Sequence, residues 1–365
     1  AEIAAINSAQ PKGSEWTVLD DAVFEEYVMT TSKLARTKAD VKVVYSAMHG
    51  VGTETLLATF KQANFSEPIL VKEQAEPDPD FPTVKFPNPE EPGAIDLSLK
   101  LAAEVEADIV IANDPDADRC AGAINDPAVG WRMLRGDEVG AILGHYIATT
   151  MKDSCFGKSF ANSIVSSSIL GKIAKAHGIE FHETLTGFKW LAKIPNLRFG
   201  YEEALGYAVD PKSVNDKDGI SAALLLAQCA AELKADGHTV AGYLSNIWST
   251  YGYHGTEQIS IRVSDISLVD SVLEKLRAKP PTSLNGRALT QFIDLSRPDG
   301  ALPPTNGITM WFGDKIRVIV RPSGTEAKLK CYVEVSRDGG TQADIAEVNT
   351  EVESIKKELL ELLKI

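Results

Sequence analysis

Between Val41 and Leu233, short apolar runs alternate with stretches of helical period, and few architectures accommodate that alternation. The run VKVVYSA from Val41 reads as a buried strand. A turn at Gly50 and Gly52 and a helical pattern over Glu54–Ala63 follow it. A second strand at Pro68–Val71 leads into a connection rich in Pro, Asp and Glu, residues 76–92. A helix over Ala94–Ala107 then returns the chain to a strand at Asp108–Ala112. Strands joined through helices run parallel, because the helix carries the chain back to the same end of the sheet. A second unit of this kind has a helix over Asp137–Thr149, a strand over Phe160–Val165, and a helix over Ile169–His177 that Ser166, Ser167 or Ser168 can cap. It closes on an apolar helix, Ile220–Leu233. Beyond that point the period falls to two in EQISIRV (257–263) and KIRVIVR (315–321). Helices over Leu268–Ala278 and Ala343–Leu363 complete an α+β unit with a largely antiparallel sheet.

A chain of 365 residues with 44% hydrophobic side chains exceeds one ordinary core and predicts two to four domains. The formal charge of −14 repels phosphate backbones and argues against nucleic acid as a partner. A small phosphorylated metabolite remains compatible, provided that cations and backbone amides gather locally. Cys120, Cys155, Cys229 and Cys331 form no CxxC pair, so neither zinc nor a disulfide framework is signalled, and a reducing cytoplasmic setting is expected. The run from Ile220 is broken by Ser221 and Gln228 and is shorter than the roughly 18 apolar residues of a membrane span. No basic region precedes an apolar stretch at Ala1-Glu2-Ile3, so no secretory signal is read there.

Three strings carry chemistry. In Asn113-Asp114-Pro115-Asp116-Ala117-Asp118-Arg119, carboxylates at alternate positions just past a buried strand can converge on a hard divalent cation, and Asp114, Asp116 and Asp118 suit magnesium. An EF-hand loop is excluded, because Arg119 stands where glycine is needed and Asn125 where glutamate is needed. The second string, Arg321-Pro322-Ser323-Gly324-Thr325-Glu326, joins two strands. With Lys328 and Lys330 it offers hydroxyls, a glycine amide and cations for a phosphate dianion, although the same residues make an ordinary hairpin turn. The third, Gly200-Tyr201-Glu202-Glu203-Ala204-Leu205-Gly206-Tyr207, places neighbouring carboxylates in a glycine-bounded loop. They can accept from sugar hydroxyls or simply face water.

Taken in order, DPDADR, GYEEALGY and RPSGTE, with MHGVGTETL and GFKW, resemble the metal, sugar and phosphate loops of the α-D-phosphohexomutase superfamily, which includes the phosphoglucomutases and phosphomannomutases. The resemblance implies two α/β domains with mixed sheets, at 38–128 and 129–250, and a C-terminal α+β domain with a largely antiparallel sheet at 251–365. Residues 1–37 resemble the tail of a preceding domain. It further implies a cytoplasmic isomerase that interconverts hexose 1- and 6-phosphates. A phosphoserine and a glucose 1,6-bisphosphate intermediate would carry the phosphoryl group, with a sugar phosphate as the small-molecule partner. Carried over by position, Asp114, Asp116 and Asp118 hold Mg2+ and Arg119 lies beside the phosphoserine. Glu202, with Glu203 next to it, meets sugar hydroxyls, and Arg321, Ser323, Gly324 and Thr325 bind the distal phosphate. Lys189 is a looser candidate for the same ligand.

Two departures stand out. Ala204 occupies a position where many relatives have serine, which leaves the choice of sugar open and keeps a phosphopentomutase as an alternative. The Thr-Ala-Ser-His-Asn-Pro segment that carries the nucleophile is absent from these 365 residues. The chain therefore reads as a fragment without turnover of its own, or as a non-catalytic phosphosugar-binding module. Gly50 and Gly52 match a dinucleotide fingerprint only in part, since Thr55 stands at the third glycine. Gly157-Lys158-Ser159 lacks the upstream glycine of a phosphate loop, where Lys152 stands.

Overall fold

The computed structural model describes residues 17–36, 40–263, 265–297, 302–324 and 327–363. Helix α1 (Ala22–Ser32) is followed by β1 (Val43–Ser46), α2 (Gly52–Gln62), β2 (Ile69–Leu70), α3 (Asp96–Val105), β3 (Ile109–Asn113), β4 (Cys120–Asp126) and β5 (Gly130–Met133). The strands form a five-stranded sheet in the order β2-β1-β3-β4-β5, parallel across β2, β1 and β3 and antiparallel across β4 and β5. Every residue of β1 and β3 is buried, as expected of strands covered on both faces. Helix α1 lies within the segment that resembles a domain tail, and it packs on α2.

The second unit runs α4 (Gly136–Thr150), β6 (Ser159–Ser163), α5 (Ile169–Ala176), β7 (Glu180–Thr184), α6 (Phe188–Leu191), β8 (Leu197–Glu202), β9 (Gly206–Ala208), α7 (Gly219–Ala235) and α8 (Val240–Tyr251). Its sheet has the order β7-β6-β8-β9, and only β9 is antiparallel to its neighbour. Both sheets are thus mixed. Helix α7 is buried from Gly219 to Ala231, as its mostly apolar sequence requires, and touches β3 and β4 of the first sheet as well as β9 and α4 of its own. Asp218 caps it by accepting from the Ile220 and Ser221 amides, and Tyr27 of α1 donates to the same carboxylate at 2.8 Å. One apolar helix therefore joins the two units.

The third unit comprises β10 (Tyr253–Arg262), α9 (Ile266–Ala278), β11 (Ser283–Leu284), β12 (Arg287–Asp294), β13 (Ile308–Phe312), β14 (Ile316–Pro322), β15 (Lys328–Arg337) and α10 (Gln342–Leu362). Its sheet, in the order β10-β15-β14-β13-β12-β11, is antiparallel throughout. Helix α10 packs on β10 and β15 and buries Val348, Val352, Ile355 and Leu359, a spacing of three to four that lines one helical face. Thr341 and Asp344 form its capping box. Among the described residues no helix is long and apolar enough to cross a membrane.

Candidate functional site

The acidic string sits where β3 ends, and its shape is set by close backbone packing. Tyr45 donates to Asn113 Oδ1 at 2.8 Å, and Asn113 Nδ2 donates to the Arg119 carbonyl at 2.6 Å, so a buried amide pins both ends of the loop. Ala117 turns the chain with φ 56°, and its carbonyl accepts from the Gly219 amide at the start of α7. From the other side the MHGVG turn abuts Pro115. Val51 N donates to the Pro115 carbonyl at 2.8 Å, and a Cβ at Gly50 would lie 2.2 Å from Pro115 Cα. Glycine at 50 thus serves backbone packing against the acidic loop.

Within this frame the three aspartates take different partners. Asp114 is buried and accepts from the Arg119 amide at 2.7 Å and from Arg119 Nε at 2.5 Å. Arg119 Nη1 continues to Asn88 Oδ1 at 3.0 Å. Asp118 pairs with Lys217 Nζ at 3.2 Å, and Asp116 is exposed. Among the described residues no group of three Asp, Glu, His or Cys side chains converges closely enough to hold a metal ion. The donor set nevertheless fits a hard cation in kind. Burial raises the Asp118 carboxyl, Lys217 opposes the rise, and Asp114 and Asp116 add to it, so three mutually repelling carboxylates share one loop. A divalent ion would compete with Lys217 and Arg119 for them.

The sugar-loop string forms the turn between β8 and β9, with Leu205 at φ 66° and Glu202 paired across to Gly206. Glu202 Oε1 accepts the Gly187 amide, which ties the loop to the GFKW segment. Burial raises the Glu202 carboxyl. The Gly187 amide, Lys217 and Arg321 oppose that rise and Asp118 adds to it, so this one side chain feels groups from all three units. Glu203 turns the other way, accepting from the Ser163 and Ser166 hydroxyls at 3.2 Å each. Burial, then Asp137 and Glu202, push it up to about 7. It lines a cavity of about 440 Å³ together with Asn88, Glu90, Arg135, Asp137 and Tyr332.

The phosphate-loop string is a hairpin between β14 and β15, closed by the Ser323 amide donating to the Lys328 carbonyl at 2.8 Å. Arg321 pairs across the hairpin with Lys330. Among the described residues, none has a heavy atom within 4 Å of where a Cβ at Gly324 would stand, so that backbone is open on their side. Thr325 lies outside the described residues, as does Glu326. Lys189 is exposed, with Nζ 5.9 Å from the Trp190 ring centre.

The structure thus brings Asp118 and Arg321 each within electrostatic reach of Glu202. It also adds three residues that the sequence reading passed over. Lys217 bridges Asp118 and Asp216 and lies 5.0 Å from the Phe188 ring. A lysine between two aspartates before a glycine-started helix is its only sequence signal. Asn88 holds Arg119, and Glu90 interacts with both Arg119 and Lys330; both belong to the 76–92 connection, which carries no periodicity.

Fold and cleft together define a multidomain α/β protein whose strand-end loops bring carboxylates and cations from separate units to one place. Residues 24–127, 135–251 and 273–352 match, in turn, alpha/beta/alpha domain II, alpha/beta/alpha domain III and the C-terminal domain of phosphoglucomutase/phosphomannomutase. The chain is 43% identical over 337 residues to a probable phosphomannomutase of Haemophilus influenzae, which covers 92% of this chain and 68% of that protein. It is 37% identical over 354 residues to human phosphopentomutase, covering 88% of this chain and 56% of the other. In fold it resembles the open form of the Paramecium phosphoglucomutase pp63/parafusin, with a TM-score of 0.68 at 20% identity, covering 94% of this chain and 61% of that one. The chain belongs to the phosphoglucomutase/phosphomannomutase family, and it spans only part of the length of these relatives.

Proposed function

We propose that these residues form the metal-, sugar- and phosphate-binding part of a phosphosugar mutase acting between hexose 1-phosphate and hexose 6-phosphate. The observation that carries this reading is the position of Glu202, whose Oε1 accepts the Gly187 amide and whose carboxylate lies within electrostatic reach of Lys217, Arg321 and Asp118. A carboxylate near one cation of its own unit and one of the C-terminal unit is suited to grip the hydroxyls of a sugar whose phosphate is held elsewhere. Arg321, Ser323, Gly324 and Thr325 take the distal phosphate, with Lys330 paired to Arg321 across the hairpin and Lys189 a looser contact for the same ligand. Arg119 and Lys217 face the phosphate that is transferred. Asp114, Asp116 and Asp118 would hold magnesium, which supplies positive charge to offset that on the phosphoryl oxygens.

In this scheme a phosphoserine passes its phosphoryl group to the free hydroxyl of the sugar monophosphate, giving glucose 1,6-bisphosphate or its analogue and a free serine. The intermediate turns over, and its other phosphate returns to the serine, so phosphate is conserved across the cycle. The residues of this chain bind, orient and neutralise. The phosphoryl-carrying serine comes from outside them, as no Ser-His pair occurs in the sequence. A pentose phosphate substrate is the second reading, favoured by the missing hydroxyl at Ala204 and the likeness to human phosphopentomutase.

A coupled assay for glucose 6-phosphate tests this. With glucose 1-phosphate, glucose 1,6-bisphosphate and magnesium, the 365-residue polypeptide should give no turnover. The same polypeptide joined downstream of a Ser-His-Asn-Pro-bearing family domain should. Turnover by the polypeptide alone would overturn the phosphoserine scheme, and none from the joined protein on hexose or pentose phosphates would overturn the mutase reading.

A further inference from the structure

The turn at Ser166–Ser168 precedes α5, whose N-cap Ser168 makes no side-chain capping bond; Ser167 Oγ accepts the Ile169 amide at 3.2 Å instead, and the other contacts of the turn reach in two directions. Toward the sugar loop, Ser163 and Ser166 donate to Glu203 Oε2, and the Glu203 amide donates back to Ser166 Oγ at 3.0 Å. Toward the C-terminal sheet, the Ser168 amide, Ser167 Oγ and Ser168 Oγ converge on Glu334 Oε1 of β15 at 2.8, 2.9 and 3.0 Å. His254 Nδ1 lies 2.8 Å from the same oxygen. Arg317 of β14 donates to the Ser166 carbonyl, pairs with Glu334 at 2.7 Å and reaches Glu183 of β7 at 3.2 Å. Ser166, Ser167, Glu334 and Arg317 are only 0, 1, 4 and 5% exposed.

A buried arginine–glutamate pair adds little net stability over apolar residues of similar volume, because desolvation offsets the attraction. What it adds is direction. The apolar cluster on the same seam, Ile164, Val165, Leu185, Ile319 and Tyr332, would hold the two surfaces together in more than one register. Hydrogen bonds to one carbonyl and one amide of a buried turn admit a single register. The far side of that turn has its own fixed partners. Ser167 N donates to Asp137 Oδ1 at 2.6 Å, and Gly136, the residue before Asp137, presses against the Glu203 carbonyl so closely that a Cβ there would lie 1.8 Å from it.

We propose that Arg317 and Glu334 are positioning residues for the sugar loop: through the Ser166–Ser168 turn, the seating of the C-terminal sheet fixes where Glu203, and with it Glu202, stands. The consequence for sugar recognition rests on the reading of Glu202 given above; the coupling itself does not.

Hydrogen exchange on the unliganded 365-residue chain tests the coupling, and titration calorimetry with glucose 1-phosphate and with inorganic phosphate tests its consequence. Glu334→Gln and Arg317→Met lie on another sheet, yet both should speed exchange of the Glu203 amide by about tenfold or more, as should Ser166→Ala, while β1 and β3 keep wild-type protection. In all three variants the preference for glucose 1-phosphate over inorganic phosphate should fall by about three- to tenfold, the effect of one lost hydrogen bond, with inorganic phosphate binding unchanged. Ser166→Ala keeps the backbone carbonyl and both charges, so it and Glu334→Gln decide the matter if Arg317→Met does not fold. Unchanged Glu203 exchange in Glu334→Gln overturns the proposal, as does a uniform rise across the chain, which would mean a merely weakened fold. If exchange responds as expected but the wild type shows no preference for glucose 1-phosphate, the coupling is supported and the sugar-loop assignment fails.

Discussion

Glu203→Gln should stabilise the protein at pH 8 and do little near pH 4.5. The Glu203 carboxyl faces Asp137 of α4, Glu202 of its own loop, and Glu90 and Arg135 across the cavity, with the Ser163 and Ser166 hydroxyls donating to it. Burial, Asp137 and Glu202 raise it from an ordinary 4.5 to about 7. Between those values the folded chain holds a proton that the unfolded chain has released. The stability contributed by the protonated carboxyl is therefore full below about 4.5 and is lost as the pH rises through about 7. At about 1.36 kcal/mol per pH unit, the separation corresponds to roughly 3 kcal/mol, an upper figure because the side chain is only half-buried. Glutamine keeps the shape and an acceptor oxygen without the charge, so at pH 8 it escapes this loss. At about 2 °C per kcal/mol for a chain of this size, the variant should melt roughly 5 °C higher at pH 8. Near pH 4.5 the gap should shrink to below about 1 kcal/mol. Differential scanning calorimetry on both proteins at the two pH values, at matched ionic strength, measures it. An equal shift at both, or none at pH 8, would refute the reasoning.

Asp116→Asn, at an exposed position with no cationic partner needed for packing, should weaken magnesium binding in titration calorimetry while leaving the melting temperature within about 1 °C; equal affinity would remove Asp116 from the site. Arg321→Ala should weaken binding of glucose 1-phosphate by roughly 1.5–3 kcal/mol, the range for a hydrogen bond to a charged group, and leave glucose unaffected. Equal losses for the two ligands would show that the hairpin does not read phosphate. Gly50→Ala should cost about 1–3 kcal/mol or more in thermal unfolding, because its Cβ would meet the Pro115 backbone at 2.2 Å, whereas Gly324→Ala, with open space around it, should be close to neutral. Matching losses would mean that the MHGVG turn does not brace the acidic loop.

What could be read from the sequence was local. Strands β1 and β3 announce themselves as unbroken apolar runs, α7 as an apolar helix, and the three aspartates as a spacing. Helix α8 was missed because Gly242, Ser245, Ser249 and Thr250 are weak helix formers. It is held by its Thr239 cap and by burying Val240, Leu244, Ile247 and Trp248. Strand β12 is hidden in the sequence for a different reason. In β12, RALTQFID, the core-facing Leu289 and Phe292 stand three residues apart, because the register shifts between Leu289 and Gln291, so the period of two that marks a strand is broken. At the site, the residue types could be named but their partners could not. Which cation faces Asp118 depends on how two sheets meet across α7, and the serine turn meets Glu334 across 167 residues of chain.

On the proposed function, the same distinction explains how a chain of charge −14 can offer a cleft to a dianion. Its cations are not gathered into a bare basic patch, which the surrounding acidic field would leave costly to desolvate and quick to bind any anion. Three of them are held beside a carboxylate: Arg119 by Asp114, Lys217 by Asp118, and Lys330 near Glu90. Such pairs are nearly neutral at a distance, so they neither repel the rest of the acidic protein nor attract polyanions over long range. Up close they are exchangeable. If a divalent ion takes the aspartates, Arg119 and Lys217 lose their partners, and the nearest replacement is a phosphate group on the ligand. On the proposed function, metal and phosphosugar each supply the counter-charge that the other displaces. An acidic loop at the end of β3 is then a requirement of phosphate binding in this protein and no obstacle to it.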